Sequence, residues 1–541
     1  MTSPETLAAA RPRPGSLQSV LTRRWARLAI PSVADLFFLA LMIWLFLSGA
    51  NGWKGLLADG DVGWHIRTGE YILDQHAVPR HDLFSWSKPG APWYAWEWLT
   101  DVIDGSLHRV AGLKGVVLLA AIVIAAFATS LIRRIMWRGS HLFVALAISL
   151  LAVGSASMHF LARPHVFTLL LLSLTVWMIE SDRQQASRRI WWLVPITIVW
   201  TNLHGGFLAL VAMLGLTAVG TAIEILLSKT AQPTDLRERF APALRYAALT
   251  AACLAASLIN PYGWQLHQHV FAYLRSEWIL NTIQEFKSPS FRNENMMQFE
   301  VLLLVGLIVA GTLFRRKRIA EALWVLFFAH NALQSVRHVP IFATVAAPLI
   351  AAEITAWWNQ WTAHAGRQSL AGIINQMGGD FARGFGRMSL WPAAAVVALM
   401  LIGAPIAWPT DFPEEMFPVK QVRAHPDLFL NARVLTTDQW ADYLIYVNPT
   451  QKVFMDGRSD FYGPEIGNQL LHLVEGKPDW AQILEKHKFT VALLPGESAL
   501  VQLLKTRPEW RVLEDDGKRV LLVLRSTSVL PTGNIRPEPR S

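Results

Sequence analysis

A short stretch after the first long apolar run combines residue types that could transfer a proton. Residues 57–72 read LADGDVGWHIRTGEYI and contain Asp59, Asp61, His65 and Arg67 within nine positions. An ionised carboxylate can take a proton from a hydroxyl group, and His65 lies one helical turn from Asp61 on the same face. Two interpretations remain open: Asp61 caps an interfacial helix, or Asp61 and Asp59 are catalytic carboxylates, which we favour.

Two arginines elsewhere in the chain each stand beside a histidine at the end of an apolar run. Arg163 and His165 belong to the segment ARPH, and Arg337 and His338 belong to SVRH. The planar guanidinium matches phosphate oxygens bidentately, so both segments are candidates for binding a phosphate-bearing substrate. The alternative is that these arginines extend toward lipid headgroups and bind no specific ligand.

Further polar residues interrupt or follow apolar runs and complete the candidate substrate-binding set. Asn202 and His204 occur in WTNLHGGF, Glu285 occurs in QEFKSP, and Glu97 lies in the segment that follows the first run. A histidine at that depth is a functional candidate, although a buried structural histidine is an equal alternative. These residues require no metal ion, but Asp59 together with Asp61 could hold a divalent cation.

The composition indicates what kind of protein must position these residues. Of 541 residues, 52% are hydrophobic and only 16% are charged, whereas about a quarter are charged in an ordinary soluble domain. The net charge of +9 comes from short basic clusters between apolar runs and does not form one continuous stripe. The sequence therefore predicts a membrane protein and argues against a nucleic-acid partner.

Apolar runs recur along most of the chain. A bilayer core of roughly 30 Å needs about 20 mostly apolar residues in a helix, and short runs can be tilted or paired. We predict an all-α polytopic membrane domain of about eleven transmembrane helices. The candidate spans are 33–50, 113–132, 141–158, 165–179, 190–203, 205–227, 246–260, 298–314, 319–335, 339–357 and 390–408.

The basic clusters fall on one face of this predicted arrangement. Every even-numbered span is followed by a loop rich in Lys or Arg, and the N-terminus carries Arg23, Arg24 and Arg27. Such loops are cytoplasmic, so the N-terminus is predicted to be cytoplasmic and all candidate site residues extracytoplasmic. We divide the chain into a disordered cytoplasmic N-terminus (1–30), a transmembrane domain (31–410) with its first outer loop (51–112), an extracytoplasmic α/β domain (411–527) and a disordered tail (528–541).

The region after the last span reads as a small α/β domain. ARVLTT, QKVFMDG, FTVALLP, WRVLEDDG and RVLLVLR are typical of strands, and DQWADYLIYV, PDWAQILEKH and SALVQLLKT of helices. Between QKVFMDG and the following helix, Asp456 and Gly457 form a turn pair and Arg458 can bridge two carboxylates. We expect this loop to be structural; the alternative is that it binds the acceptor.

The general plan resembles the GT-C superfamily of integral-membrane glycosyltransferases, which includes protein O-mannosyltransferases, lipid A aminoarabinose transferases and oligosaccharyltransferases. In that superfamily the first outer loop carries an aspartate soon after the first span, often followed directly by a second acidic residue. Asp61 matches this loop aspartate, although the sequence here is DGD, with Gly60 between the two carboxylates. The resemblance implies a polyprenyl-phosphate sugar donor.

The sequence therefore predicts a bacterial inner (plasma) membrane glycosyltransferase that transfers a sugar with inversion. Asp61 would take the proton of an acceptor hydroxyl while Arg163 or Arg337 neutralises the departing lipid phosphate. The acceptor is a glycan, a lipid or a protein, and membrane lipid surrounds the chain. The alternatives are a lipid or polysaccharide transporter and a non-catalytic scaffold for envelope assembly.

Overall fold

A computed structural model describes residues 28–48, 52–228, 235–293, 296–382, 389–401 and 408–525. The predicted N-terminal segment up to residue 27 and the tail from residue 526 lie outside these ranges. Arg383 and Arg387, which we used to assign the membrane orientation, also lie outside the described residues.

Six described helices are long and apolar enough to cross a membrane. They are α5 (Leu113–Trp137), α6 (Leu142–Ala156), α7 (His165–Gln184), α9 (Phe207–Leu227), α13 (Met296–Arg315) and α15 (Val339–Trp361), with short 3₁₀ turns extending α6 to His159 and α15 back to Val336. The prediction of about eleven spans is not confirmed by these six. The other predicted spans correspond to shorter or more polar helices: α1 (Val33–Ile43), α8 (Leu193–Leu203), α10 (Leu236–Ala256), α14 (Ile319–Gln334) and α17 (Trp391–Leu401).

The remaining helices before the C-terminal domain lie mostly in the connections between these helices. They are α2 (Trp53–Leu56), α3 (Asp61–Gln75), α4 (Trp98–Ala111), α11 (Trp264–Leu274), α12 (Glu277–Thr282) and α16 (Leu370–Ala382). The membrane domain is built around α5 and α15, the two most deeply buried of the six spans. Together they support the polar connections that carry the candidate site.

The first outer loop is organised by two closely packed helices, α3 and α4. Gly69 and Gly105 face each other, and a Cβ added at Gly69 would lie 1.7 Å from the Asp101 carbonyl oxygen. Helix α3 begins at Asp61 with Gly60 as its N-cap, and the Asp59 carboxylate, not that of Asp61, accepts the first N–H of the helix (Asp61 N to Asp59 Oδ1, 3.0 Å). The carboxylate of Asp61 is therefore free of the capping role and points elsewhere.

The C-terminal domain contains a four-stranded mixed sheet in the order β1-β2-β4-β3. Strands β1 (Val434–Leu435) and β2 (Val491–Pro495) are parallel, and β4 (Arg519–Leu524) runs antiparallel to β2 and to β3 (Trp510–Asp515). The helices of this region are α18 (Val419–Ala424), α19 (Pro426–Phe429), α20 (Asp438–Val447), α21 (Ser459–Val474), α22 (Trp480–His487) and α23 (Ala499–Lys505).

The segment QKVFMDG, which we predicted to be a strand of this sheet, instead joins the domain to the first outer loop. Val453 forms a single parallel bridge with Ser85, through hydrogen bonds from Trp86 N to Val453 O (3.0 Å) and from Val453 N to Phe84 O (2.9 Å). Its apolar side chains are buried against the loop and not in the sheet, which explains the strand-like pattern. Because the domain and the loop are in contact, they lie on the same side of the membrane.

Candidate active site

A polar cavity of about 120 Å³ lies where the first outer loop, the segments before α7 and α13, and the C-terminal domain meet. It is bounded by side chains from six parts of the sequence, including the connections before α9 and α15, and acidic groups predominate among its charged residues. Those charged residues are Asp59, Asp61, Glu97, Arg163, Glu285, Arg337, Asp438, Arg458 and Asp460. Aromatic rings form much of the remaining wall: Trp64, Trp93, Tyr94, Trp96, Tyr273 and Phe286.

Arg163 is the centre of the charge arrangement. Its Nη1 donates to Asp59 Oδ2 (2.7 Å) and to Glu285 Oε1 (3.0 Å), and its Nη2 lies 2.7 Å from Asp61 Oδ2. One guanidinium therefore fixes Asp59 and Asp61 and also Glu285, which lies more than 200 positions later in the sequence. Such charge-assisted bonds hold both partners in defined positions.

Asp61 is almost completely enclosed, with 5% of its surface exposed. Burial raises the pKa of Asp61 to about 8; Arg163 opposes this shift, and Asp59 and Glu285 add to it. A carboxyl group with a pKa close to neutral can exist in both protonation states at physiological pH. This is the property required of a group that exchanges a proton during a reaction.

Glycines allow the C-terminal domain to approach Asp61 closely. A Cβ at Gly60 would lie 2.4 Å from the carbonyl oxygen of Gln439, and a Cβ at Gly457 would lie 1.9 Å from Asp61 Oδ1. Either added carbon would force the first outer loop and the C-terminal domain apart. Helix α20 and the loop before α21 therefore reach Asp61 only because these two positions lack a side chain.

Glu97 lies between two histidines at the inner end of the cavity. Its Oε1 is 3.5 Å from His204 Nε2 and its Oε2 is 3.7 Å from His65 Nε2. His204 Nδ1 accepts the Gly206 N–H (3.0 Å), so the neutral ring carries its proton on Nε2, toward Glu97. On its other side, His65 Nδ1 is 2.6 Å from Asp101 Oδ1. Burial raises the pKa of Glu97 to about 7, so Glu97 is a second group that titrates near neutral pH.

Glu285 connects the two cavity arginines. It accepts from Arg163, and its Oε2 is 3.8 Å from Arg337 Nε. Burial alone would raise the pKa of Glu285, but Arg163 and Arg337 lower it well below its usual range. Glu285 therefore stays ionised, which makes it less suited than Asp61 to exchange a proton near neutral pH.

An open groove of about 430 Å³ adjoins the polar cavity. Its walls are mainly apolar side chains of α9, α11, α14 and α15, such as Leu208, Val270, Phe328 and Ile341. Arg337 borders both the groove and the cavity, as do His165 and His204. His338, Asn331 and Gln334 also line the groove. The space is thus a mainly apolar groove that shares Arg337 with the polar cavity.

Several predicted site residues have other partners. Arg67 donates through Nε to the Tyr446 carbonyl oxygen (2.8 Å) and lies outside the cavity. Asn202 accepts from Trp98 Nε1 (2.7 Å) and donates to the Ile259 carbonyl oxygen (2.9 Å), so it holds helices together and lies outside both spaces. His165 Nε2 contacts the His159 carbonyl oxygen at 2.5 Å, with its ring at the wall of both spaces.

Asp59 and Asp61, the pair that could hold a divalent cation, and two histidines of α11 have other partners in this structure. Asp59 and Asp61 both direct an oxygen at Arg163, so a guanidinium occupies the position between them. His269 pairs with Asp460 at 2.8 Å, and His267 contacts the Ser257 hydroxyl at 2.9 Å. Among the described residues, no group of three or more His, Cys, Asp or Glu side chains is placed to hold a metal ion. We assign no chemical step to a metal.

The contribution of helix α20 was absent from our sequence-based candidates. Asp438 lines the cavity, and Asp442 is fully buried behind Asp61, with its Oδ1 accepting the Gly457 N–H (3.0 Å). The signal was present, since two aspartates four residues apart lie on one face of the helix DQWADYLIYV. Tyr273 was also missed; its hydroxyl oxygen accepts from Arg337 Nη1 (3.2 Å).

Comparison with known proteins gives a result for the fold only. No family model matches the sequence, and no curated protein matches it. An oligosaccharyltransferase from Archaeoglobus fulgidus, AglB in complex with an inhibitory peptide and a dolichol-phosphate, superimposes with a TM-score of 0.50 and 12% identity, over 95% of this chain and 75% of AglB. The same organism's oligosaccharyltransferase tethered to an acceptor peptide gives a TM-score of 0.50 and 13% identity, over 88% of this chain and 70% of that one.

A third solved structure, ArnT from Cupriavidus metallidurans in the apo state, superimposes with a TM-score of 0.44 and 14% identity, over 91% of this chain and 97% of ArnT. The oligosaccharyltransferases belong to the GT-C superfamily of membrane glycosyltransferases. The resemblance expected from the sequence is thereby confirmed at the level of the fold, that of a multi-pass membrane protein.

Proposed function

We propose that this chain, which has the GT-C fold, is an inverting membrane glycosyltransferase that uses a polyprenyl-phosphate-linked sugar. The observation that carries the proposal is that Arg337 lines both the apolar groove and the polar cavity that contains Asp61. A lipid phosphate has the matching form, with a long apolar chain, one anionic group and a polar sugar beyond it. AglB, which shares this fold, has been solved with a dolichol-phosphate.

Of the two candidate arginines, Arg337 is the better phosphate ligand. Arg163 already faces Asp59, Asp61 and Glu285, and it does not line the groove. Among the described carboxylates Arg337 pairs with Glu285 at 3.8 Å; it also donates to the Tyr273 hydroxyl (3.2 Å), and its guanidinium lies over the Phe286 ring, 5.2 Å from the centroid. We therefore assign the phosphate to Arg337, and to Arg163 the task of holding Asp59 and Asp61 in place.

The proposed reaction is a single displacement at the anomeric carbon of the sugar. The acceptor hydroxyl oxygen forms the new bond, its proton passes to the Asp61 carboxylate, and the bond between the anomeric carbon and the phosphate oxygen breaks. The lipid phosphate departs with the electron pair of that bond, and Arg337 stabilises its charge. Attack from the side opposite the leaving group inverts the anomeric configuration.

The proposal also specifies the orientation of the protein in the membrane, the kind of acceptor and the cofactor requirement. The Lys/Arg asymmetry of the loops supports an extracytoplasmic cavity and a cytoplasmic N-terminus in the plasma membrane. The acceptor, a glycan, a lipid or a protein, would enter beside the C-terminal domain, and the reaction as proposed needs no cofactor. In a Cys253→Ser background, a cysteine at exposed His76 should react with an impermeant thiol reagent in intact cells; protection there and reaction at exposed Arg315 would reverse the orientation.

The test is a search for polyprenyl phosphate in the purified full-length protein. Lipid extracted from the wild type should contain a polyprenyl phosphate or its sugar derivative, detected by mass spectrometry. Arg337→Gln should lose most of it, whereas Arg275→Gln, at an exposed position in the same outer region, should retain it. If added undecaprenyl phosphate binds neither the wild type nor the control, the chain is not a transferase of this class. If it binds but no sugar is transferred, a transporter or a scaffold is favoured.

A further inference from the structure

The C-terminal domain contributes a carboxyl group to the immediate surroundings of Asp61. Asp442 stands on α20, and its exposed fraction is 0%. Helix α20 reaches Asp61 by packing on Gly60 and Gly63 of the first outer loop; a Cβ at Gly60 would lie 2.9 Å from Asp442 Cβ. The two carboxyl groups, 381 positions apart in the sequence, meet at the boundary between the domains.

Each of these carboxyl groups has one satisfied oxygen and one unsatisfied oxygen. Asp61 Oδ2 faces Arg163 and Asp442 Oδ1 accepts the Gly457 N–H. Asp61 Oδ1 and Asp442 Oδ2 are both buried and receive no hydrogen bond from any part of the chain that the structure describes. Two unsatisfied buried carboxylate oxygens would be costly, because a buried acceptor without a donor loses its hydration without compensation.

The two unsatisfied oxygens lie beside the same backbone carbon. From the position that a Cβ at Gly457 would occupy, Asp61 Oδ1 is 1.9 Å away and Asp442 Oδ2 is 2.9 Å away. One proton carried by Asp442 would give its own Oδ2 a covalent hydrogen and give Asp61 Oδ1 a donor. That single proton satisfies both atoms, whereas a second negative charge would satisfy neither.

The charges around the pair determine which group keeps the proton. Arg163 contacts Asp61, whose other charged neighbours are Asp59, Glu285 and Asp438. Asp442 faces Asp61, Asp456 and Asp438, all acidic, and the nearby cation Arg458 is bound to Asp456 and Asp82. Burial and these carboxylates raise the pKa of Asp442 well above its usual value.

We infer that Asp442 is a protonated positioning residue, which donates a hydrogen bond to Asp61 Oδ1, favours the ionised form of Asp61 and holds its carboxylate in place. This inference rests on the proposed function for its consequence, but the shared proton itself does not. The C-terminal domain would then be part of the active site and not only a binding module. Removing it would leave Asp61 without its second partner.

Two substitutions at one position separate positioning from packing. Asp442→Asn keeps an acceptor for the Gly457 N–H and offers an amide N–H to Asp61 Oδ1. Asp442→Leu has a similar size but provides neither. With native membrane lipid extract as the donor source, the Asp442→Asn variant should transfer at least tenfold faster than the Asp442→Leu variant, and exposed Asp427→Asn should match the wild type. Equal loss in both folded Asp442 variants would overturn the inference.

Infrared spectroscopy tests the protonation of Asp442 without a measurement of sugar transfer. At neutral pH, the wild type should show one more protonated carboxyl C=O stretch than Asp442→Asn, and the band should shift in Asp61→Asn because its acceptor has changed. A spectrum in which Asp442→Asn loses no protonated carboxyl would overturn the inference even if transfer is observed. A lost band without detectable transfer would leave the pair established and the proposed function rejected.

Discussion

Two buried charge networks at opposite faces of the membrane domain differ in how completely their charges are paired. In the first, Arg134 binds Glu180 through two bonds of 2.7 Å, and Arg138 connects Glu180 (2.8 Å) to Glu321 (3.0 Å). Arg318 and Arg316 extend this network to Glu353. In the second, at the polar cavity, Asp61, Asp442 and Glu97 are buried with incomplete or distant partners.

This difference distinguishes a network that stabilises the fold from a network that is suited to a reaction. In the first network four arginines face three glutamates, so every carboxylate has at least two cationic neighbours and the ends of α5, α7, α14 and α15 are held together. At the cavity, acidic groups outnumber arginines, and two of the carboxyl pKa values lie near neutral because burial is not fully offset. The paired network is expected to govern stability and the incompletely paired one to govern reactivity.

The largest effect is expected for Asp61→Asn. Asparagine keeps the size of aspartate and an oxygen for Arg163, but it cannot accept a proton, so transfer should fall about 10²- to 10⁴-fold. Binding of undecaprenyl phosphate and the unfolding temperature should stay close to wild type. Asp59→Asn, the control, should lose less activity because the oxygens of Asp59 are already bound to Asp61 N and to Arg163, and asparagine keeps one acceptor oxygen. Wild-type turnover in Asp61→Asn would remove Asp61 from the mechanism.

Arg134→Met changes the paired network of Arg134, Glu180 and Arg138, and we expect it to lower stability, unlike Asp61→Asn. Breaking a buried ion pair on one side leaves an unpaired charge and costs about 3–5 kcal/mol, so the unfolding temperature in detergent should fall sharply. The double variant Arg134→Met/Glu180→Leu should recover part of this loss, since no unpaired glutamate remains at that position. A single variant as stable as the wild type would show that this network does not hold the helices together.

Arg458→Ala tests whether the loop after Gly457 is structural, as the sequence suggested. Arg458 is buried and its Nη2 donates to Asp456 Oδ2 (2.6 Å) and Asp82 Oδ1 (2.8 Å), joining the C-terminal domain to the first outer loop. Its loss should cost about 2–5 kcal/mol, measured by thermal unfolding. Arg511→Ala, at an exposed position of the same domain, should change stability by less than about 0.5 kcal/mol. Normal stability with weakened acceptor binding would instead indicate a substrate-binding loop.

The smallest effect is expected from the pH dependence of Glu97. Its pKa in the folded protein, about 7, exceeds the ordinary 4.5, so the folded state holds a proton that the unfolded state releases. Stability should therefore fall as pH rises from about 4.5 to 7, by on the order of 1 to 3 kcal/mol, since each pKa unit corresponds to about 1.4 kcal/mol. In Glu97→Gln this part of the pH dependence should be absent. An unchanged slope would mean that Glu97 is ionised throughout.

The sequence was sufficient for the parts of the molecule set by local pattern. Hydropathy and basic loops predicted a polytopic helical domain, and short apolar runs located strands such as Val491–Pro495. Motif chemistry selected Asp59, Asp61, Arg163, Glu285 and Arg337, and the structure brings these five residues to one cavity. Their roles stay predictions, since proximity alone does not demonstrate catalysis.

The sequence was insufficient where contacts across long separations decide the outcome. Val453 reads as part of a sheet strand because it begins a short apolar run with Phe454 and Met455, but its partner is Ser85 of the first outer loop. Asn202 reads as a site residue because it is polar between apolar runs, whereas its hydrogen bonds join helices. Asp442 was missed because only the close approach at Gly60 and Gly457 brings it to Asp61.

The position of a bound lipid phosphate tests the central claim most directly. A structure of the full-length protein with undecaprenyl phosphate, determined by electron cryomicroscopy, should place the phosphate within hydrogen-bond distance of Arg337. The isoprenoid chain should occupy the groove beside Phe328 and Ile341, and the open side of the phosphate should face the cavity that contains Asp61. A phosphate bound near Arg138 and Arg318 at the other face, or a lipid chain outside the groove, would contradict the account.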